Sequence, residues 1–213
     1  MPTAKTGRKS AYHHGDLRTA LLDAAEGVLV DKGVAGFTLR ECARRAGVSH
    51  AAPKHHFRDV RHLLTVLATL AFKRLNVSMQ FHRDQLANPD PKSVLQAIGE
   101  GYIAYAADNP HLFNLMFDWQ LLDREDLDLK AHSQPAFMTL ASAIAEVKGI
   151  PEAMSDDAGR VDVVLVWSVV HGFSQLFLLG NFEIGQSGDS EADRQAWMRS
   201  LSHQMMTRLM GLF

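Results

Sequence analysis

Residues 38–57 read TLRECARRAGVSHAAPKHHF, and this stretch decides how the chain is understood. Thr38 followed by Glu41 three residues later forms a capping box, a helix-start signature. The helix it opens is short and reaches about Arg45. Ala46-Gly47-Val48 then turns the chain, with Gly47 able to take the left-handed conformation cheaply. Ser49 stands where it can cap a second helix reaching about Phe57. Pro53 falls early in that helix, where a missing N–H costs little. Ala43 is small enough to let the two helices cross closely. Leu39, Val48 and Phe57 supply apolar anchors against a preceding helix. Two short helices around a glycine turn form the helix-turn-helix pattern, whose second helix enters a major groove.

The polar residues of the stretch then have a role. Ser49, His50, Lys54, His55 and His56 offer donors to base edges and phosphates. Arg40, Arg44, Arg45, Arg58 and Arg61 surround them with positive charge. The expected DNA contacts are Thr38, Arg40, Ser49, His50, Ala51, Lys54, His55, His56 and Arg58. The bland alternative is a helical hairpin that only packs. Charge argues against it. The net charge of −2 conceals 14 Lys+Arg against 6 Asp+Glu in residues 1–83, and 8 against 18 in residues 84–213. A basic head on an acidic body points to a polyanion met by the head alone. Lys5, Arg8 and Lys9 in the N-terminal tail are placed to add phosphate or minor-groove contacts.

The remaining composition is that of a packed globular protein: 213 residues, 46% apolar and 22% charged. The single cysteine, Cys42, excludes an intramolecular disulfide and suits a reducing compartment such as the cytoplasm. Its place on a core-facing helix position reads as packing. The N-terminal residues are basic and polar, with no apolar run of a secretory signal. Residues 161–182 approach membrane-spanning length, but His171, Ser174 and Gln175 interrupt them. A helix buried by protein or lying at an interface is the expected reading, with no membrane partner.

Strand signals are nearly absent and helical periodicity runs almost throughout, so the chain reads as all-α with about nine helices. Apolar stripes mark helices at 16–32, 59–83, 92–108, 111–122, 126–148, 157–180 and 191–211. NPDP, NP, GIP and GQSGDS punctuate them, and Ser190 with Asp193 makes a second cap signal. A bend is expected near Pro135. The boundary is placed between residues 1–58, the head with its tail, and residues 59–213, the body.

No residue set points to catalysis or to a cofactor: there is no Gly-rich phosphate loop, G-x-S-x-G or H-E-x-x-H. Adjacent histidines, His13-His14 and His55-His56, point about 100° apart on a helix and suit one metal ion poorly. The body is rich in Met and aromatic residues, which line either a plain core or an apolar pocket for a small molecule of apolar or mixed polarity. Tyr102, Tyr105, Phe113, Met116, Phe117, Phe137, Trp167 and His171 are its candidate contacts. Trp167 and His171 share a helix face one turn apart. A stripe of Trp197, Leu201, Met205 and Leu209 on the last helix, with Val164, Phe173 and Phe177 on the apolar helix before it, can pair with a second copy as a four-helix bundle.

Residues 21–57, LLDAAEGVLVDKGVAGFTLRECARRAGVSHAAPKHHF, resemble the TetR/AcrR family of transcriptional regulators. The similarity lies in Thr38, Cys42, Ala43, Ala46, Gly47, Val48, Ser49, His56 and Phe57. YHHGDLR (12–18), VSHAAP (48–53) and Trp167, His171 and Gly172 are similar to a branch with W-x-x-x-H-G in its body. Two positions depart from the family pattern. Lys54 stands where a phosphate-contacting tyrosine is usual, and Val60 where a lysine is usual. The resemblance implies a three-helix DNA-binding head and a six-helix body. It also implies homodimerisation through the last two helices, repression at a palindromic operator, and release by a small-molecule effector. A second reading rests on Lys54 and Val60: a helical small-molecule-binding protein whose head no longer binds DNA.

Overall fold

The computed structural model describes residues 14–181 and 190–213. Lys5, Arg8, Lys9, His13 and most of GQSGDS lie outside them. Among the described residues every regular element is helical. In order they are α1 (His14–Lys32), α2 (Leu39–Arg45), a 3-10 helix (Ala52–His55), α3 (Val60–Asp84), α4 (Pro91–Asp108), α5 (Pro110–Phe117), α6 (Leu127–Lys148), α7 (Asp157–Leu178) and α8 (Glu191–Met210). The chain divides into two compact units, Met1–Leu63 and Leu64–Phe213, and α3 begins in the first and continues in the second.

In the first unit, α1 buries Leu21, Ala25, Val28 and Leu29, against which Phe37, Cys42, Ala43 and Phe57 close the core. Burial pushes the Cys42 thiol up to about 11, which keeps it protonated and inert. The Thr38 hydroxyl accepts from the Glu41 N–H at 3.1 Å and starts α2. The helix ends in a Schellman motif: Val48 N–H donates to Ala43 C=O at 3.0 Å and Gly47 N–H to Arg44 C=O at 3.2 Å. Gly47 has φ +68°, a conformation cheap only without a side chain.

The second unit is built around α4. Its buried residues, among them Leu95, Ile98, Tyr102, Ile103 and Tyr105, cover most of its circumference, and it packs against α5, α6, α7 and α8. Helix α6 runs through Pro135 without interruption. In that turn Asn76 Nδ2 of α3 donates to the His132 carbonyl at 3.0 Å, a side-chain bond where proline weakens the backbone ladder. Helix α8 starts with the expected reciprocal cap between Ser190 and Asp193.

Two expectations are corrected. The second helix of the opening stretch is a single 3-10 turn, with Ala51 at its start and no side-chain cap. Pro53 has no N–H, and a segment this short closes i→i+3 bonds more readily than an α-helical ladder. The Ser49 carbonyl, not its hydroxyl, engages the turn by accepting from Ala52 N–H at 3.0 Å. Helix α5 stops at Phe117 rather than near 122, because Asp118 N–H turns back to Leu115 C=O at 3.1 Å.

The junction of α1 and α2 carries a charge network. Glu41 accepts from Arg44 at 2.6 and 2.9 Å and pairs with Lys32 Nζ at 2.8 Å. Hydrogen bonds from Arg44 first, then Lys32, hold the Glu41 carboxyl down from 4.5 to about 2. A carboxylate with a depressed folded pKa adds stability above its unfolded value, and loses it as pH falls through the folded one. In urea titrations Glu41→Gln is therefore expected to be less stable than the parent at pH 7, modestly so for a solvent-screened pair. The gap should close between about pH 4.5 and pH 2. A gap that does not change with pH contradicts this role.

Candidate nucleic-acid interface and ligand cavity

The 3-10 turn sorts its residues by exposure. Ala52 and Pro53 face the core and are buried, while His50, Ala51, Lys54 and His55 are exposed. His56 is half-buried beside Phe57, whose ring also meets the Arg18 guanidinium at 5.6 Å. Phe57 thus fixes the end of the turn from beneath. Arg58 is exposed and its N–H donates to His62 Nδ1 at 3.1 Å. Arg40 and Ser49 are exposed, and Thr38 spends its hydroxyl on the α2 cap.

The surrounding arginines are not equivalent. Arg44 is held bidentately by Glu41. Arg45 pairs with Asp31, and its guanidinium lies against Gly27 of α1. Both are committed inside the unit, so their charge is largely cancelled locally. Arg40, Lys54 and His55 remain on the exposed side. The sequence alone counted Arg44 and Arg45 toward the positive surface; Glu41 pairs with Arg44 one turn along α2, and Asp31 reaches Arg45 only once α1 and α2 are folded together.

In the second unit a cavity of about 290 Å³ lies among α3, α4, α6, α7 and the segment after α5. Helix α3 contributes Phe72, Leu75 and Met79, and α4 contributes Ile98, Gly99 and Tyr102. Phe117, Trp119, Phe137, Leu140, Trp167 and Val170 complete most of the wall. The walls of α3 and α4 meet at Gly101. A side chain there would lie 2.8 Å from both the Met79 Cα and the Ser78 carbonyl. In its absence Ser78 Oγ donates to the Gly101 carbonyl at 2.8 Å. A wider concavity of about 950 Å³ runs past Arg83, Asp90, Pro135 and Glu146. Those residues are exposed, so it is an open groove with charged rims and a poorer ligand site.

Of the residues expected to contact a ligand, Tyr102, Phe117, Phe137 and Trp167 line the cavity. Tyr105, Phe113 and Met116 lie outside its lining, buried in the core. Phe113 backs the wall, edge-on to Tyr102 at 5.5 Å and near Phe117 at 5.2 Å. His171 also stands behind it. Its ring is 4.5 Å from Phe117 and 6.2 Å from Trp167, and its Nδ1 is 2.8 Å from the Tyr102 hydroxyl. Burial raises the Tyr102 phenol above its usual pKa, opposed by Trp167, and burial lowers His171. The two therefore form an uncharged hydrogen-bonded pair near pH 7. The α3 contributors Phe72, Leu75 and Met79 were not anticipated; their spacing is that of any core stripe.

The apolar helix α7 is only partly covered. Val163, Val166, Val170 and Phe173 are buried, but Val161, Val164, Leu165 and Leu176 are exposed. By length and composition it is able to cross a membrane, with 28% of its apolar window buried. On α8 the buried positions with described side chains are Met198, Ser202, Met206, Leu209 and Met210. Trp197, Leu201 and Met205 lie one residue to the side and stay half-exposed, as does Phe177 on α7. Among the described residues no group of three or more His, Cys, Asp or Glu is arranged to hold a metal ion.

Known proteins share both units. Residues 21–66 match the sequence profile of "Bacterial regulatory proteins, tetR family". Residues 95–201, half of the chain, match "Tetracyclin repressor-like, C-terminal domain". An HTH-type transcriptional regulator from the dhlA 5' region of Xanthobacter autotrophicus is 25% identical over 154 residues, covering 72% of this chain and 76% of that protein. The HTH-type transcriptional regulator BetI of Yersinia pestis is 31% identical over 84 residues, 39% of this chain and 42% of its own. A solved structure from Rhodococcus sp. RHA1, of unknown function, superposes with a TM-score of 0.72 at 27% identity, covering 93% and 98% of the two chains. The TetR-family regulator PfmR of Thermus thermophilus shares the fold, with a TM-score of 0.61 at 20% identity over 88% of this chain and 97% of its own. The exposed polar turn after α2 and the helical unit that follows it are thus those of the tetR family, and this chain belongs to that family as a DNA-binding transcriptional regulator.

Proposed function

We propose that the protein is a homodimeric, ligand-responsive regulator, most simply a repressor, acting in the cytoplasm on a palindromic operator and released by a small molecule. The observation that carries this reading is α3. One continuous helix lends Phe72, Leu75 and Met79 to the cavity and begins within the DNA-binding unit. A ligand that shifts this helix acts on both. It does so only by binding one arrangement of α3 more tightly than the other. The exposed face of the 3-10 turn, His50, Ala51, Lys54 and His55, enters the major groove, with Arg40, Ser49, His56 and Arg58 at its margin and Thr38 behind it. Nothing in the reading calls for catalysis or a cofactor.

Dimerisation is supported by the stripe left open on α7, Val161, Val164, Leu165 and Leu176, and by the half-exposed Trp197, Leu201 and Met205 of α8. An apolar stripe of this length is unusual on a monomer. Two copies paired through α7 and α8 bury it as a four-helix bundle and set two heads for a twofold site. Phe173 is already buried within its own chain, so its part is to support the interface from inside.

Two experiments test the reading. Lys54→Ala is expected to weaken operator binding and to reduce the slope of log K against log salt by about one; an unchanged slope removes Lys54 from the phosphate contacts. Val164 is 56% exposed, so Val164→Glu leaves the subunit core intact. In sedimentation equilibrium it is expected to shift the protein toward monomer. A variant that stays fully dimeric places the interface elsewhere.

A further inference from the structure

We propose that the cavity selects a small, uncharged aromatic molecule, its ring enclosed against α3 and α4 and its hydrogen-bonding group turned toward Ser133 and Gln134 at the mouth. This inference rests on the reading of the chain as a ligand-responsive regulator, and names the class of ligand.

Size comes first. A cavity of about 290 Å³ is equivalent to roughly ten water volumes. Filled at the density of a protein interior, it takes a molecule of roughly 10–15 non-hydrogen atoms, below the usual drug-sized ligand.

Charge comes next. No Asp, Glu, Lys, Arg or His lines the cavity. The nearest titratable pair, Tyr102 and His171, is spent on its own hydrogen bond at 2.8 Å and carries no charge to offer. An enclosed carboxylate surrenders its hydration here without a counter-ion, and an ammonium gains cation–π attraction to the rings but finds no carboxylate to pair with.

Shape separates aromatic from saturated ligands. The lining pairs are already edge-to-face: Phe72 and Phe117 have centroids 6.0 Å apart at 73°, and Phe137 and Trp167 are 5.8 Å apart at 72°. A flat ring extends this packing with the same quadrupole preference, and a puckered saturated ring does not.

Polarity is graded along the cavity. Its inner end is buried and, Tyr102 aside, without polar side chains, from Phe72 and Met79 to Ile98. Ser133 is half-exposed and Gln134 exposed, and both belong to the lining. The Ser133 hydroxyl makes only a 3.5 Å contact with the Lys130 carbonyl, so it has bonding capacity to spare. A hydroxyl or amide on the ligand is satisfied at this end.

The test is calorimetric titration of the full chain with four probes: 2-naphthol, its saturated counterpart 2-decalol, 2-naphthoate, and the 2-naphthyltrimethylammonium ion. 2-Naphthol is expected to bind at least about tenfold more tightly than any of the others. The expected effect of Ala136→Leu and of Leu140→Trp, two fillings of the cavity from one face of α6, is loss of that binding. Thermal unfolding identifies which of the variants are folded, and the selectivity series on the parent protein does not depend on them. If 2-naphthoate or the ammonium ion binds as tightly as 2-naphthol, and a folded filled variant loses that binding, the cavity is a ligand site but the proposed class is wrong. If 2-naphthol binds equally well to folded forms of both filled variants, the cavity is not the site and the underlying reading of it falls as well. Failure of all four probes to bind overturns the proposed class.

Discussion

The second unit depends on how closely other helices approach α4. Gly101 sets that distance for α3, and Gly99 leaves room for Met206 of α8. At Gly99 a side chain would strike the Met206 methyl of α8 at 2.4 Å, and at Gly101 it would strike the backbone of α3 at 2.8 Å. Each glycine costs a helix interior about 1 kcal/mol relative to alanine, so the packing it permits must offset that. The two glycines make α4 a narrow post, with large neighbours drawn in around it. Helix α4 is buried almost all round, Met206 seats α8, and the Ser78 hydroxyl locks α3 to the Gly101 carbonyl. The cavity opens beside this crossing, where Ile98, Gly99 and Tyr102 line it together with residues of α3, α6 and α7. The feature that tightens the fold is thus also a wall of the cavity.

Charge divides the labour in the first unit. The chain concentrates its basic residues there, yet part of that charge serves the fold. Glu41 draws in Lys32 and Arg44, and Asp31 takes Arg45, which ties α2 to α1. The cations left outward are fewer and sit around a turn of only four residues. A turn that short has little stability of its own. Its geometry is imposed by Ala52, Pro53 and Phe57 pressed into the core, so its exposed residues are presented by a rigid support and not by an independent helix.

Much of this was legible in the sequence because caps and stripes are local. Thr38 with Glu41 and Ser190 with Asp193 mark helix starts that the structure reproduces, and Gly47 marks the turn between α2 and the DNA-facing segment. The family resemblance was carried by the same residues. What was not legible depends on contacts between distant segments. The second short helix became a 3-10 turn because Pro53 and the burial of Ala52 outweigh the cap that Ser49 offered. The stripe of Trp197, Leu201 and Met205 is real, but the residues facing α4 are Met198, Ser202 and Met206, one position on. Two neighbouring stripes lie about 100° apart on a helix, and the one that turns inward is the one whose Met206 seats at Gly99 of α4. Likewise Phe72, Leu75 and Met79 resemble any core stripe until α4 and α6 leave space beside them, while Phe113 and Met116 look like pocket residues and are packed solid.

The central claim is that two copies of the short turn, set by one dimer, read one twofold DNA site. The most direct measurement is selection of bound sequences from a random duplex library by the purified, ligand-free protein at near-physiological salt. Enrichment of an inverted repeat is expected, with half-sites spaced by a whole helical turn or a multiple of it. Absence of any enriched motif, from protein shown to be folded and dimeric, contradicts it and leaves the cavity as the functional part of the chain.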